Sequence, residues 1–141
     1  MSWTKTYNQC KTNSKYGNKP VTIDGTKYDS TGEGTRMGYL KLLERAGEIK
    51  DLQYHKKFEL IPQITEDVVV HLKTKDKIVK KVVQRARYYE ADYTYTKVST
   101  GEEVVEDFKG VVTPLFEFKA ALFRYKYGKE IKIVKHINEP I

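Results

Sequence analysis

Asp107 and Lys109 stand two apart in VVEDFKG, residues 104–110, a valine-rich stretch closed by a glycine that reads as a β-strand. Residues two apart on a strand share a face, so a carboxylate and an ammonium lie on one side. Glu106 turns to the other. A further carboxylate, Asp92, lies in EADYTY, the strand just before. A hairpin through the Ser99-Thr100-Gly101 loop sets Asp92 beside Asp107 on adjacent antiparallel strands, with Lys109 further along that side. Two close carboxylates repel one another. A hard divalent cation relieves the repulsion, and Mg²⁺ accepts carboxylate oxygens together with water and substrate phosphate. A lysine beside it can orient or deprotonate a water, or balance charge on a phosphate in the transition state. The competing explanation of the same residues is a solvated strand face with cross-strand ion pairs.

The elements that must position these groups are legible around them. VTIDGTKYD reads as a short extended piece with a tight turn at Asp24-Gly25. A helix follows, with Ser30 and Glu33 matching a capping box and Gly47 standing at the C-terminal cap. Met37, Leu40, Leu43 and Ala46 give it one apolar face, although Gly34 and Gly38 are poor helix formers. FELIP, EDVVVHL, DKIVKKVV and ARYYEADYTYT then read as strands, broken at turn-like sites such as KTKD. Thr113-Pro114 starts a second helix, expected to run to about Tyr127 and stop at Gly128. EIKIVKHI is the final strand. Strand, helix and strand in that order predict that it lies parallel to VVEDF. The expected fold class is α/β, a mixed sheet flanked by helices, with residues 1–20 as a flexible basic arm and 21–141 as one domain.

The chain has 141 residues and a net charge of +7. A domain of this length removes roughly 70% of its unfolded surface from water. The single cysteine, Cys10, excludes an internal disulfide framework and suits a reducing cytoplasm. There is no signal-peptide pattern and no apolar run approaching the ~18 residues of a membrane span. The charge is uneven. No acid precedes Asp24, while Lys5, Lys11, Lys15 and Lys19 alternate with Trp3, Tyr7 and Tyr16; a second run carries Lys73, Lys75, Lys77, Lys80, Lys81, Arg85 and Arg87 against Asp76. Such runs neutralise phosphates, and flanking aromatics stack on unpaired bases, which makes nucleic acid the leading partner class. His55, His71 and His136 have no mutual zinc-ligand spacing and read as structural or surface residues.

YDSTGE, ADYTY, VVEDFKG and TPLFEFK, in that order from about Tyr16 to Ile137, resemble the PD-(D/E)XK nuclease superfamily. The nearest likeness is to a small phage-associated branch of unassigned function that is similar to Holliday-junction resolvases. The resemblance implies a restriction-endonuclease-like core of helix, β-hairpin, helix and strand. It also implies a Mg²⁺ (or Mn²⁺) site at Asp92, Asp107 and Glu33, with Lys109 as the catalytic lysine. Lys119, set among Leu115, Phe116, Leu122 and Phe123 at helical spacing, would then face the site as a further catalytic residue instead of snorkelling past a core edge.

Three departures stand out. Ala91 replaces the proline of the superfamily's name, the acid-x-lysine motif carries aspartate, and the capping box accounts for Glu33 by itself. The implied function is a Mg²⁺-dependent DNA endonuclease acting on branched or flapped DNA in a host cytoplasm, as a homodimer by analogy. The rivals are a non-catalytic DNA-binding module on the same fold and, on charge alone, an RNA-binding protein.

Overall fold

A computed structural model describes residues 19–141. The chain opens with β1 (Val21–Ile23) and β2 (Thr26–Tyr28), an antiparallel hairpin whose two turn residues, Asp24 (φ 50°) and Gly25 (φ 77°), are both left-handed. This is the turn that matches strand twist and that an Asp-Gly pair adopts most readily. Helix α1 (Thr31–Arg45) follows, with the Ser30 hydroxyl accepting the Glu33 amide N–H and Gly47 left-handed just past the end. At Gly34 a Cβ would come 2.7 Å from the tip of the Ile23 side chain and 3.3 Å from the buried Tyr28 ring, so α1 lies close against the hairpin there.

Strands β3 (Ile49–Ile61), β6 (Arg87–Lys97), β7 (Glu103–Phe108) and β8 (Ile131–Val134) form one sheet in the order β3-β6-β7-β8. The first two pairings are antiparallel and the β7–β8 pairing is parallel, joined through helix α2 (Pro114–Tyr127). Thr113 caps α2 and Gly128 ends it in the left-handed conformation, both as the sequence predicts. A mixed α/β architecture with two helices is therefore present among the described residues. Val104 packs in a cluster with Met37 and Leu40 of α1, and its neighbour Val105 in a cluster with Phe116 and Phe123 of α2. Adjacent strand residues point to opposite faces, so the helices cover opposite sides of the sheet.

Strand β3 runs 13 residues, well beyond the FELIP segment. Its first half, IKDLQYHKK, hides from pattern reading because it lies at a sheet edge and is mostly exposed or half-buried. Strands β4 (Ile64–His71) and β5 (Asp76–Gln84) do not join the sheet at all. They pair only with each other, and every residue from Ile64 to Val83 is exposed. The residues 1–18 of the expected basic arm lie outside the described residues.

One buried polar group was not anticipated from the helix pattern. Arg36 has no exposed surface, and its guanidinium donates to both oxygens of Glu106 (2.7 and 2.9 Å) and to the Ile137 and Glu139 carbonyls (2.7 and 2.6 Å). Tyr95 adds a 2.9 Å hydrogen bond to Glu106. Arg36→Met should destabilise the chain by about 3–5 kcal/mol, because it strands a buried carboxylate. Replacing both partners (Arg36→Met with Glu106→Leu) should recover a large part of that loss. Urea unfolding of both variants measures the difference, and equal stability of the single and double variants would refute the pairing argument.

Candidate metal and phosphate site

The antiparallel register runs Thr96↔Glu103 to Tyr93↔Glu106, so the next pair in line is Asp92 and Asp107. Here the ladder opens. The Phe108 amide N–H donates to Asp92 Oδ2 (2.7 Å) and not to a backbone carbonyl. The reason lies in β6 itself. Ala91 packs on the α2 side and Tyr93 on the α1 side, although a regular strand would turn both the same way. The strand therefore changes phase at Asp92, opposite His55 of β3, whose backbone is left-handed (φ 56°) between the pairs Lys56↔Ala91 and Tyr54↔Tyr93.

Asp107 is buried. The Tyr89 hydroxyl donates to its Oδ2 (2.9 Å), while Oδ1 accepts no hydrogen bond. The Lys109 ammonium sits 2.8 Å from Oδ1, out of hydrogen-bond alignment. A buried carboxylate oxygen is costly unless a cation satisfies it, and Lys109 is that cation here. Lys109 also lies over the Phe116 ring, 4.8 Å from its centre. Asp107, Lys109 and Lys119 line one cavity of ≈ 220 Å³ with Tyr88, Tyr89 and Thr113. Lys119 thus faces the same space as the charged pair. As expected, Glu106 points the other way, into the Arg36 pair.

Glu33 comes from the first turn of α1. The capping box is only half made: Ser30 Oγ accepts the Glu33 amide, but the Glu33 carboxylate takes the Ser30 hydroxyl and the Tyr54 hydroxyl (3.2 Å each) instead of the Ser30 amide. A side-chain donor from β3 has drawn it toward the sheet. The Tyr93 hydroxyl donates to the Glu33 carbonyl (2.6 Å), pinning the helix start over β6. Glu33, Asp29 and His55 place one ligand atom each within 4.8 Å of one another. The histidine spacing in the chain hides this, because the helix and two separate segments supply the three groups. His55 Nδ1 lies 3.1 Å from Glu90, the kind of carboxylate contact that orients a metal-ligating imidazole.

The electrostatics tie these groups together. Asp92 is pushed up to about 7, first by burial and then by the negative charge of Asp107 and, less, of Glu33; the Phe108 N–H and Lys109 pull the other way. Burial and the neighbouring Glu33 likewise raise the Tyr54 phenol, and burial and Asp107 raise that of Tyr89. The acids around Asp92 and Asp107 offer oxygen ligands, with two carboxylates against one lysine, which fits a hard divalent cation.

The predicted nucleic-acid residues are dispersed differently. Lys73, Lys75, Lys77, Lys80 and Lys81 sit on the β4–β5 hairpin, and Arg85 and Arg87 follow at its base, all exposed; Lys19 is exposed at the start of the described chain. Lys15 lies outside the described residues. No helix among the described residues is long and apolar enough to cross a membrane.

The raised Asp92 has a thermodynamic signature. It ionises near pH ~4 in the unfolded chain and at about 7 when folded. Between those values the folded state holds the extra proton, so this group's stabilisation is complete below the lower value and is lost as pH rises through the upper. Asp92→Asn should raise the melting temperature by several degrees at about pH 8 and leave it nearly unchanged at about pH 4. Thermal scans across that range test this; equal shifts at both ends would rule out the carboxylate's charge as the cause.

No curated protein and no solved structure matches the chain. A family described as a protein of unknown function, DUF1064, matches residues 13–138, nearly the whole sequence, and the chain belongs to that family.

Proposed function

We propose that the protein is a metal-dependent deoxyribonuclease that hydrolyses phosphodiester bonds in branched or flapped DNA in a cytoplasm. The observation that carries this reading is that Asp92, raised by burial and by the charge of Asp107, stands next in register to Asp107, whose buried carboxylate meets Lys109 at 2.8 Å. The order helix, antiparallel strands, helix and parallel strand supports the resemblance to PD-(D/E)XK nucleases drawn from the motifs.

Asp92, Asp107 and Glu33 would hold Mg²⁺ or Mn²⁺, with Asp29 and His55 at hand beside Glu33 for a second ion. Such an ion, when bound, polarises a phosphate oxygen and acidifies a water. The chain's own groups do the rest. Tyr89 and the Phe108 amide fix the two aspartates in place, so their orientation is set before substrate arrives. Lys109, next to Asp107 and open to the cavity, offers positive charge where the attacked phosphate gains negative charge. Lys119 offers a second cation across the same cavity. The exposed basic hairpin tracks the phosphate backbone, a contact that weakens steeply with salt.

Purified protein should cut flap or four-way-junction DNA with Mg²⁺ or Mn²⁺ and stop when the ion is chelated. Lys109→Ala should lower cleavage by at least about a hundredfold, within the usual range for a positioned proton-transfer or charge-stabilising group, while DNA affinity stays within about twofold, since its role belongs to the transition state. Metal-independent binding with no cutting of any of these substrates would leave a non-catalytic DNA-binding module as the better account.

A further inference from the structure

A second cavity, ≈ 640 Å³, opens beside the first, between the start of β6 and the outer side of α2. Its apolar lining comes from Leu60, Ile61, Leu115, Leu122, Tyr88 and Phe118. Tyr88, Leu115 and Phe118 are 51%, 65% and 61% exposed. Large apolar side chains left this open mark a surface that something covers. The two cavities share Tyr88, Glu90, Leu115 and Lys119, so they form one continuous trough leading to Asp107 and Lys109. Its volume is that of a small-molecule site.

The charge at the trough selects the occupant. Arg87 and Lys119 line it, and neither is in an ion pair among the described residues. The single acid, Glu90, is already engaged by His55 at 3.1 Å and Lys57 at 3.5 Å. An apolar peptide or lipid tail would use the hydrophobic walls and leave those cations idle. A nucleotide uses both: its base lies on an aromatic face, and its phosphate meets the cations. The basic β4–β5 hairpin is rooted at the same place, since Ile61 precedes it and Arg87 follows it.

We infer that this trough binds an unpaired nucleotide of the substrate, stacking the base on Tyr88 and Phe118 and holding its phosphate on Arg87 and Lys119, next to the position of cleavage. The inference rests on the nuclease reading for its placement and narrows the substrate. A base inside a continuous duplex is stacked and cannot enter without being extruded, so the favoured DNA has a single-stranded arm or a splayed end adjoining the cut.

The test measures binding with chelator present, so that it does not depend on cleavage. The probes are a duplex with a single-stranded arm carrying 2-aminopurine at successive positions, and a blunt duplex of the same length. The full chain should quench the fluorophore strongly at one arm position. Tyr88→Ala and Phe118→Ala should each weaken binding of the armed duplex about tenfold, the order expected for one lost base stack, abolish the quench, and leave the blunt duplex nearly unaffected. Tyr88→Trp, which keeps an aromatic face, should retain both affinity and quench. Wild-type affinity in both alanine variants, or equal losses on blunt and armed DNA, would overturn the site. A selective quench without any metal-dependent cleavage would leave the nucleotide site standing and sink the nuclease reading; cleavage insensitive to Tyr88→Ala and Phe118→Ala would do the reverse.

Discussion

A guanidinium with no exposed surface needs a partner for its charge and for its N–H groups, and Arg36 finds both in one place. It joins α1 to the middle of β7 through Glu106 and ties down the last residues of the chain through two carbonyls. The consequence for the site is geometric. Because Glu106 is committed to the α1 side, its neighbours Val105 and Asp107 are committed to the α2 side. A slip of one residue in β7 would bury Asp107 against Arg36 and turn Glu106 out, at the cost of every cross-strand contact along β6. The ion pair thus holds the register on which the candidate site depends. It also sets the position of α1, and with it that of Glu33, one turn before Arg36.

The other side of β7 has the opposite character. Glu106 is neutralised by a bidentate partner and Tyr95, whereas Asp92 and Asp107 face each other with Lys109 alone as a cation in contact. Tension of this kind is uncommon in a sheet interior, where buried charge is normally paired. Its concentration at a point where the ladder opens, the β6 strand changes phase and two lysines face a cavity argues that the arrangement serves ligand binding and not stability.

The β4–β5 hairpin stands apart from that centre. Val68 and Val69 of β4 face Val79 and Ile78 of β5, and Glu66 and Asp67 face Lys81 and Lys80, on a two-stranded ribbon that pairs with no other strand among the described residues. A ribbon of this kind is marginally stable by itself. Its lysines suit a polyanion, and its root beside Tyr88 and Arg87 leads toward the trough and the carboxylates. The basic hairpin and the charged site are thus contiguous without being the same residues.

Much of this was present in local sequence. The Asp-Gly turn, the Thr113-Pro114 start, the glycine stops and the valine-rich β7 are determined by short-range backbone preferences, and the hairpin loop between β6 and β7 is enough to set Asp92 opposite Asp107. Alternation alone predicts that Lys109 joins them and that Glu106 does not. Lys119 was marked by its apolar neighbours. What local pattern could not supply is anything that depends on two distant segments meeting. Arg36 reads as an ordinary polar position of a helix until β7 and the chain's last residues close over it. His55 reads as a surface histidine until α1 brings Glu33 and Asp29 to it. The charged part of β3 shows no strand period because a sheet edge imposes none, and nothing in the valine-rich β4–β5 pattern says that the pair stands outside the sheet. The chain by itself determined the elements and the chemical groups they carry; only the tertiary structure decided which groups meet, because burial and pairing are properties of the packed whole and not of any stretch of sequence.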